Sequence, residues 1–153
     1  MGARILVVDD EPSIVRLVST TLRARGHEVF EASDGQEAVE RALELKPDLI
    51  LLDIMMPRMD GREARKRLHA DPKTADIPVI HLSAVGDFES QLSDMQDGLT
   101  DYITKPFAPR ELADRVDAFL DPAQRDRARR DAAHKTGKLR TIVDIMHRSH
   151  DSD

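Results

Sequence analysis

"LILLDIMMPRMDG", residues 49–61, decides the reading of the fold. Leu49, Ile50, Leu51 and Leu52 run without a polar break and end in a carboxylate, Asp53. An apolar run without alternation is the pattern of a strand covered on both faces, as central strands of parallel sheets are. The methionine pair, Pro57 and Gly61 then turn the chain away. In open parallel sheets, ligand sites form outside the carboxyl ends of the strands. Asp53 would stand at such an end.

Outward from this stretch, strand-like and helix-like periods alternate. Residues 5–8 form a short run rich in β-branched side chains, closed by Asp9 and Asp10. Ile14, Leu17, Val18, Thr21 and Leu22 recur at helical spacing behind Pro12, and Gly26 stops that helix. Residues 27–32, "HEVFEA", read as a more polar strand. Ala38, Val39, Ala42 and Leu43 mark a second helix, with Ser33 and Asp34 offering a capping side chain. A helix over about residues 62–70 and a strand over 77–82 follow the opening stretch. Phe88, Leu92 and Met95 mark a fourth helix, Tyr102 and Ile103 a short fifth strand. Leu112, Val116, Phe119 and Leu120 mark the last helix of the body.

Five βα units in succession predict an α/β fold: a doubly wound parallel sheet with helices on both faces. The apolar strands 5–8 and 49–52 belong at its centre, the polar-interrupted 27–31 and 101–104 at its edges. That favours the flavodoxin-like order 2-1-3-4-5 over the Rossmann order. The first turn, "VVDDEPS", also lacks the glycines of a dinucleotide site. Asp121-Pro122 ends the body, so the expected organisation is a domain over 1–120 and a charged, helical tail over 121–153.

Composition narrows the class. The chain has 153 residues, 40% hydrophobic and 34% charged, which is enough apolar material for one ordinary core. No apolar stretch approaches the roughly 20 residues of a membrane span. The N-terminus lacks a signal peptide's apolar region and cleavage site. There is no cysteine, so disulfides and thiolate metal sites are excluded. A cytoplasmic location is the expectation. The net charge of −6 is uneven: residues 1–120 carry 23 acidic and 15 basic side chains, residues 121–153 carry 6 and 8. An acidic body is a poor non-specific partner for nucleic acid, and no direct DNA binding is expected.

In the order 2-1-3-4-5, strands one and three flank the switch point. Asp9, Asp10 and Asp53 then converge. Two like charges about 4 Å apart repel by about 4 kcal/mol at an effective dielectric near 20, so a proton or a cation must join them. An all-oxygen donor set selects a hard ion such as Mg²⁺. Strand four ends at Ser83, which offers a hydroxyl, and strand five runs into Lys105 and Pro106. Each residue alone is more often a cap, a turn residue or a solvated side chain. Together, at the ends of four strands, they are the parts of an in-line phosphoryl transfer onto a carboxylate.

At these residues the sequence resembles the receiver domain of bacterial two-component response regulators. The motifs are "ILVVDDE", "PDLILLDIMMPRMDG", "IPVIHLSA" and "DYITKPF", in that order over about residues 3–120. The resemblance implies that Asp53 accepts a phosphoryl group from a histidine of a sensor kinase or phosphotransfer protein. It implies Mg²⁺ held by Asp9, Asp10, Asp53 and the backbone carbonyl of Met55. Lys105 would contact the phosphoryl oxygens, with a cis bond to Pro106. Pro57 and Gly61 would shape the loop. Ser83 would move toward the phosphoryl group and Tyr102 turn inward behind it. That would shift the face made by the fourth helix, the fifth strand and the last helix, which controls a downstream protein effector. Catalysis is expected only of the domain's own phosphorylation and dephosphorylation.

Some positions depart from the pattern. Leu99 stands after Gly98, where a small residue is usual. His81, within strand four, reads as a packed histidine. Met55 and Val85 are apolar where water would approach, so slow self-dephosphorylation is expected. In the tail, Asp126 and Asp131 interleave with Arg125, Arg127, Arg129 and Arg130, the pattern of a solvated helix. Leu139, Ile142, Val143 and Met146 form an apolar stripe suited to docking on the body or to pairing two copies, an alternative to pairing through the face at the fifth strand. The competing reading is a receiver-like scaffold that binds partners without phosphorylation.

Overall fold

The structure, a computed structural model, describes residues 2–83 and 98–124. Its strands are β1 (Arg4–Val8), β2 (Glu28–Ala32), β3 (Leu49–Asp53), β4 (Val79–Ser83) and β5 (Thr100–Thr104). They form one parallel sheet in the order β2-β1-β3-β4-β5. The described helices are α1 (Pro12–Ala24), α2 (Gly35–Leu45), α3 (Gly61–Ala70) and α4 (Pro109–Leu120). This is the flavodoxin-like α/β fold expected of the alternation. The helix expected at Phe88, Leu92 and Met95, and the tail from Arg125 onward, lie outside the described residues.

The unbroken apolar runs feed two cores at once. Ile5, Val7, Leu49 and Leu51 join Ile80, Leu82, Val116 and Phe119 on one side of the sheet. Leu6, Val8, Ile50 and Leu52 join Ala38, Ala42, Ala64 and Leu68 on the other. Successive side chains of a strand point to opposite faces, so a strand covered on both must be apolar at every position. Each fully buried Leu or Ile contributes about 1.5–3 kcal/mol, which lets β3 carry a carboxylate at its end.

Local signals set the ends of the helices. Pro12 opens α1, and Gly26, at φ +88°, turns the chain into β2. The Asp34 carboxylate accepts from the N–H of Glu37 and that of Asp60 from Glu63, each capping a helix. The fourth strand starts two residues later than the apolar run suggested. Ile77 donates its N–H to Thr74 within a turn, and Pro78 has no N–H to give. The Pro78 carbonyl accepts from the N–H of Ile50 at 3.0 Å, and Val79 is the first to donate, to the carbonyl of Leu99 at 2.7 Å.

At the amino ends of the strands, the acids are held by local hydrogen bonds and ion pairs. The N–H of Ala3 donates to His27 Nδ1 at 3.0 Å, so the ring proton sits on Nε2, which donates to Asp117 at 2.7 Å. Arg25 reaches Asp114 and Asp117 at 2.9 Å each, and Asp48 accepts from the N–H of Arg4 at 2.8 Å.

Candidate functional site

The opposite edge is built differently. β1 runs directly into Asp9 and Asp10, and the neighbouring β3 ends in Asp53. One carboxylate oxygen from each of the three lies within 4.8 Å of the others. Asp9 is 1% exposed and Asp53 4%, whereas Asp10 faces solvent.

Among the described residues, a single ammonium answers these acids. Lys105, one residue beyond β5, places Nζ 2.9 Å from Asp9 Oδ2 and 3.5 Å from Asp53 Oδ1. Its N–H donates to the carbonyl of Ser83 at 2.7 Å, which ties the end of β5 to that of β4. The Lys105–Pro106 peptide bond is cis. Ser83 is buried at the same edge. Short backbone bonds hold the acids in place: Glu11 N–H donates to Asp9 Oδ1 at 2.9 Å, and Met55 N–H to Asp53 Oδ1 at 3.3 Å. The Met55 side chain points outward, 74% exposed.

The loop after Asp53 is clamped. Met59 N–H donates to Pro57 O at 2.9 Å around Arg58, which sits at φ +70°. The N–H of Gly61 donates to Ile54 O at 2.9 Å, and a Cβ on Gly61 would drive into the Asp53 carbonyl. Glycine is therefore required there by close approach of backbone.

The electrostatics follow from the geometry. Burial pushes the Asp53 carboxyl up, the charge of Asp9 adds to that, and Lys105 offsets it only in part, leaving it at about 6. Burial acts to lower the Lys105 ammonium, but its hydrogen bond to Asp9 and the charges of Asp9, Asp53 and Glu11 outweigh that, and it ends raised. Three acids facing one lysine form an under-neutralised, all-oxygen cluster. Such a donor set fits a hard divalent cation, and Asp9, Asp10 and Asp53 could hold one.

Of the residues singled out in the sequence, the structure brings together Asp9, Asp10, Asp53, Ser83, Lys105 and the backbone of Met55. Pro57 and Gly61 form the adjoining loop, and Pro106 follows Lys105. Tyr102 stands two strands from β3, across β4, buried on β5. Val85 lies outside the described residues. Two contacts had no sequence signal, because both depend on strand register or helix docking. Arg115 of α4 holds Asp101 Oδ2 at 2.8 Å and the Tyr102 carbonyl at 2.9 Å. His81, fully buried, stacks against Tyr102.

Known proteins share this arrangement. The family profile described as response regulator receiver domain matches residues 5–117. The DNA-binding dual master transcriptional regulator RpaA of Synechocystis sp. is 44% identical over 117 residues, 76% of this chain and 48% of its own length. The phosphate regulon transcriptional regulatory protein PhoB of Pseudomonas aeruginosa is 44% identical over 120 residues, 78% of this chain and 52% of its own. The solved receiver domain of the Francisella response regulator 1452 superposes with a TM-score of 0.70 at 34% identity, covering 78% of this chain and 97% of its own. The chain spans about half the length of these curated relatives.

The relatives overturn one expectation. No direct DNA binding was expected from the acidic body, yet one relative is named as DNA-binding and both as transcriptional regulators. The error was to take the charge of residues 1–120 as a guide to a whole regulator, when that body corresponds to only about half of each relative. With the sheet order, the acid-lined switch point and the matched motifs in agreement, this chain belongs to the response regulator receiver family.

Proposed function

We propose that the protein is a phosphorylation switch in which Asp53 accepts a phosphoryl group from a histidine of a sensor kinase or phosphotransfer protein. The observation that carries this reading is the meeting of Asp9, Asp10 and Asp53 within 4.8 Å, with one ammonium, Lys105, against them. An Asp53 oxygen forms the new bond to phosphorus while the phosphorus–nitrogen bond of the donor histidine breaks. The electron pair leaves with the imidazole nitrogen, which then takes up a proton. The side chains of Asp9, Asp10 and Asp53 and the carbonyl of Met55 would hold Mg²⁺, which supplies positive charge for the phosphoryl oxygens.

Lys105 then does for the phosphoryl oxygens what it does here for Asp9, presenting a point charge on a fixed turn. The Ser83 hydroxyl, on the strand tied to Lys105, donates to the same group, and Tyr102 follows it inward. The state of the β5 edge is thus biased by contacts that exist only when Asp53 is loaded. The protein catalyses only its own loading and unloading and works in the cytoplasm. Its output is transcription, in keeping with the named relatives, with DNA contacted outside the acidic receiver body.

Incubation with Mg²⁺ and a small acyl phosphate tests the reading. Intact-mass measurement should show one added phosphoryl group on the wild type and none on Asp53→Asn. Equal labelling of the two would overturn it.

A further inference from the structure

Residue 81 is a histidine inside the sheet. Its neighbours Val79, Ile80 and Leu82 are apolar and, like it, fully buried. The parallel register sets Leu52 of β3, His81 of β4 and Tyr102 of β5 side by side in one row. Residues paired in this way face the same side of the sheet, so the imidazole lies between the strand of Asp53 and the ring of Tyr102.

Both sides of that ring are engaged. His81 Nδ1 is 3.1 Å from the carbonyl of Leu52. A carbonyl only accepts, so Nδ1 carries the proton. On the other side, the His81 and Tyr102 rings stand 5.1 Å apart between centroids, tilted by 35°. That separation is within the range of direct ring packing. Leu52 is the residue before Asp53. The imidazole therefore spans from the backbone beside the phosphoacceptor to the side chain that turns in the switch. An aliphatic residue would fill the space but could not bond the Leu52 carbonyl.

We propose that His81 is a positioning residue of the switch, holding the Tyr102 ring to the strand that carries Asp53 so that loading of Asp53 is felt at the β5 edge. This rests on Asp53 being the phosphoacceptor and Tyr102 the responding side chain. It gives the coupling a physical contact, one hydrogen bond and one ring face, which a double substitution can measure.

The chain supplies its own reporter. Tyr102 is its only tyrosine, and there is no tryptophan, so intrinsic fluorescence comes from Tyr102 alone. The 153-residue chain is titrated with Mg²⁺ and beryllofluoride, a mimic of the aspartyl phosphate. Occupancy of Asp53 is read by fluorine NMR and the switch by Tyr102 fluorescence, with thermal stability recorded alongside. In the wild type both signals should rise together. In His81→Leu the fluorine signal should persist, while the Tyr102 change per occupied site falls by about threefold or more. If that variant does not fold, His81→Phe is read in the same way, since it keeps a ring against Tyr102 and removes the bond to Leu52.

A purely structural role would lower stability and leave the Tyr102 change per occupied site at its wild-type value; that outcome overturns the proposal. Wild-type protein that binds beryllofluoride with no change at Tyr102 overturns it too, and leaves the phosphoacceptor reading standing. Wild-type protein with no fluorine signal removes the phosphoacceptor reading and this inference with it.

Discussion

The two edges of the sheet solve the problem of charge in opposite ways. At the amino edge, Asp117 meets His27 and Arg25, Asp114 meets Arg25, and Asp48 meets a backbone N–H. Every one of these acids has a local partner. At the carboxyl edge, three acids converge, two of them buried, and among the described residues Lys105 is the one cation against them. The first arrangement is complete as it stands. The second is complete only when something positive arrives. The same residue types therefore read as scaffold at one edge and as a site at the other, and the difference lies in burial and convergence: Asp48, Asp114 and Asp117 reach solvent, whereas Asp9 and Asp53 are buried together.

The sharpest break of that comparison is to remove the charge of Lys105. Lys105→Met should slow phosphorylation by about a hundredfold in rapid-quench labelling. It should also tighten Mg²⁺ in a calorimetric titration, because the Asp9 oxygen now bonded to the ammonium becomes free. An unchanged labelling rate would mean that Lys105 is a neutralising charge and nothing more. Thinning the acids acts in the opposite sense: Asp9→Asn should weaken Mg²⁺ by about tenfold or more in the same titration.

The third test uses pH. In the folded chain Asp53 titrates at about 6, above its ordinary 3.8. As pH rises between these values, the unfolded chain gives up this proton while the folded chain keeps it, so Asp53 removes stability across that window and the loss is full above it. In metal-free buffer at about pH 7, Asp53→Asn should be more stable than wild type in urea unfolding, on the order of 2 kcal/mol. The gain should vanish by about pH 3, below both values, where the carboxyl is protonated in both states. Added Mg²⁺ should stabilise the wild type and not the variant. The smallest effect is expected at the complete edge: His27→Phe should lose about 1 kcal/mol through its two hydrogen bonds, with labelling of Asp53 unchanged. A slowed reaction there would mean that the two edges are not independent.

What could be read from the sequence followed the reach of each signal. The central strands were legible because burial on both faces removes alternation, a property of four consecutive residues. Asp9, Asp10 and Asp53 were legible because they close such runs, and the sheet order that unites them follows from which runs are most apolar. The start of β4 was misread at Ile77, since a buried residue in a turn is as apolar as one in a strand. Lys105 could be placed at the right edge, but not against Asp9 rather than Asp53, because that is a matter of ångströms between residues 96 apart in sequence. The row Leu52, His81 and Tyr102 was invisible, because register is a relation between strands that no single strand carries.

Gly61 adds a mechanical consequence. Its α-carbon lies where any side chain would strike the Asp53 carbonyl, and its N–H holds the carbonyl of Ile54. The start of α3 is thus seated on the backbone of Asp53, the proposed phosphoacceptor. An anchored beam does not recoil along its own axis. Strain introduced at the Asp53 side chain has little freedom to travel down the chain into α3. In the proposed switch, the response to loading would run transversely, across β4 toward β5.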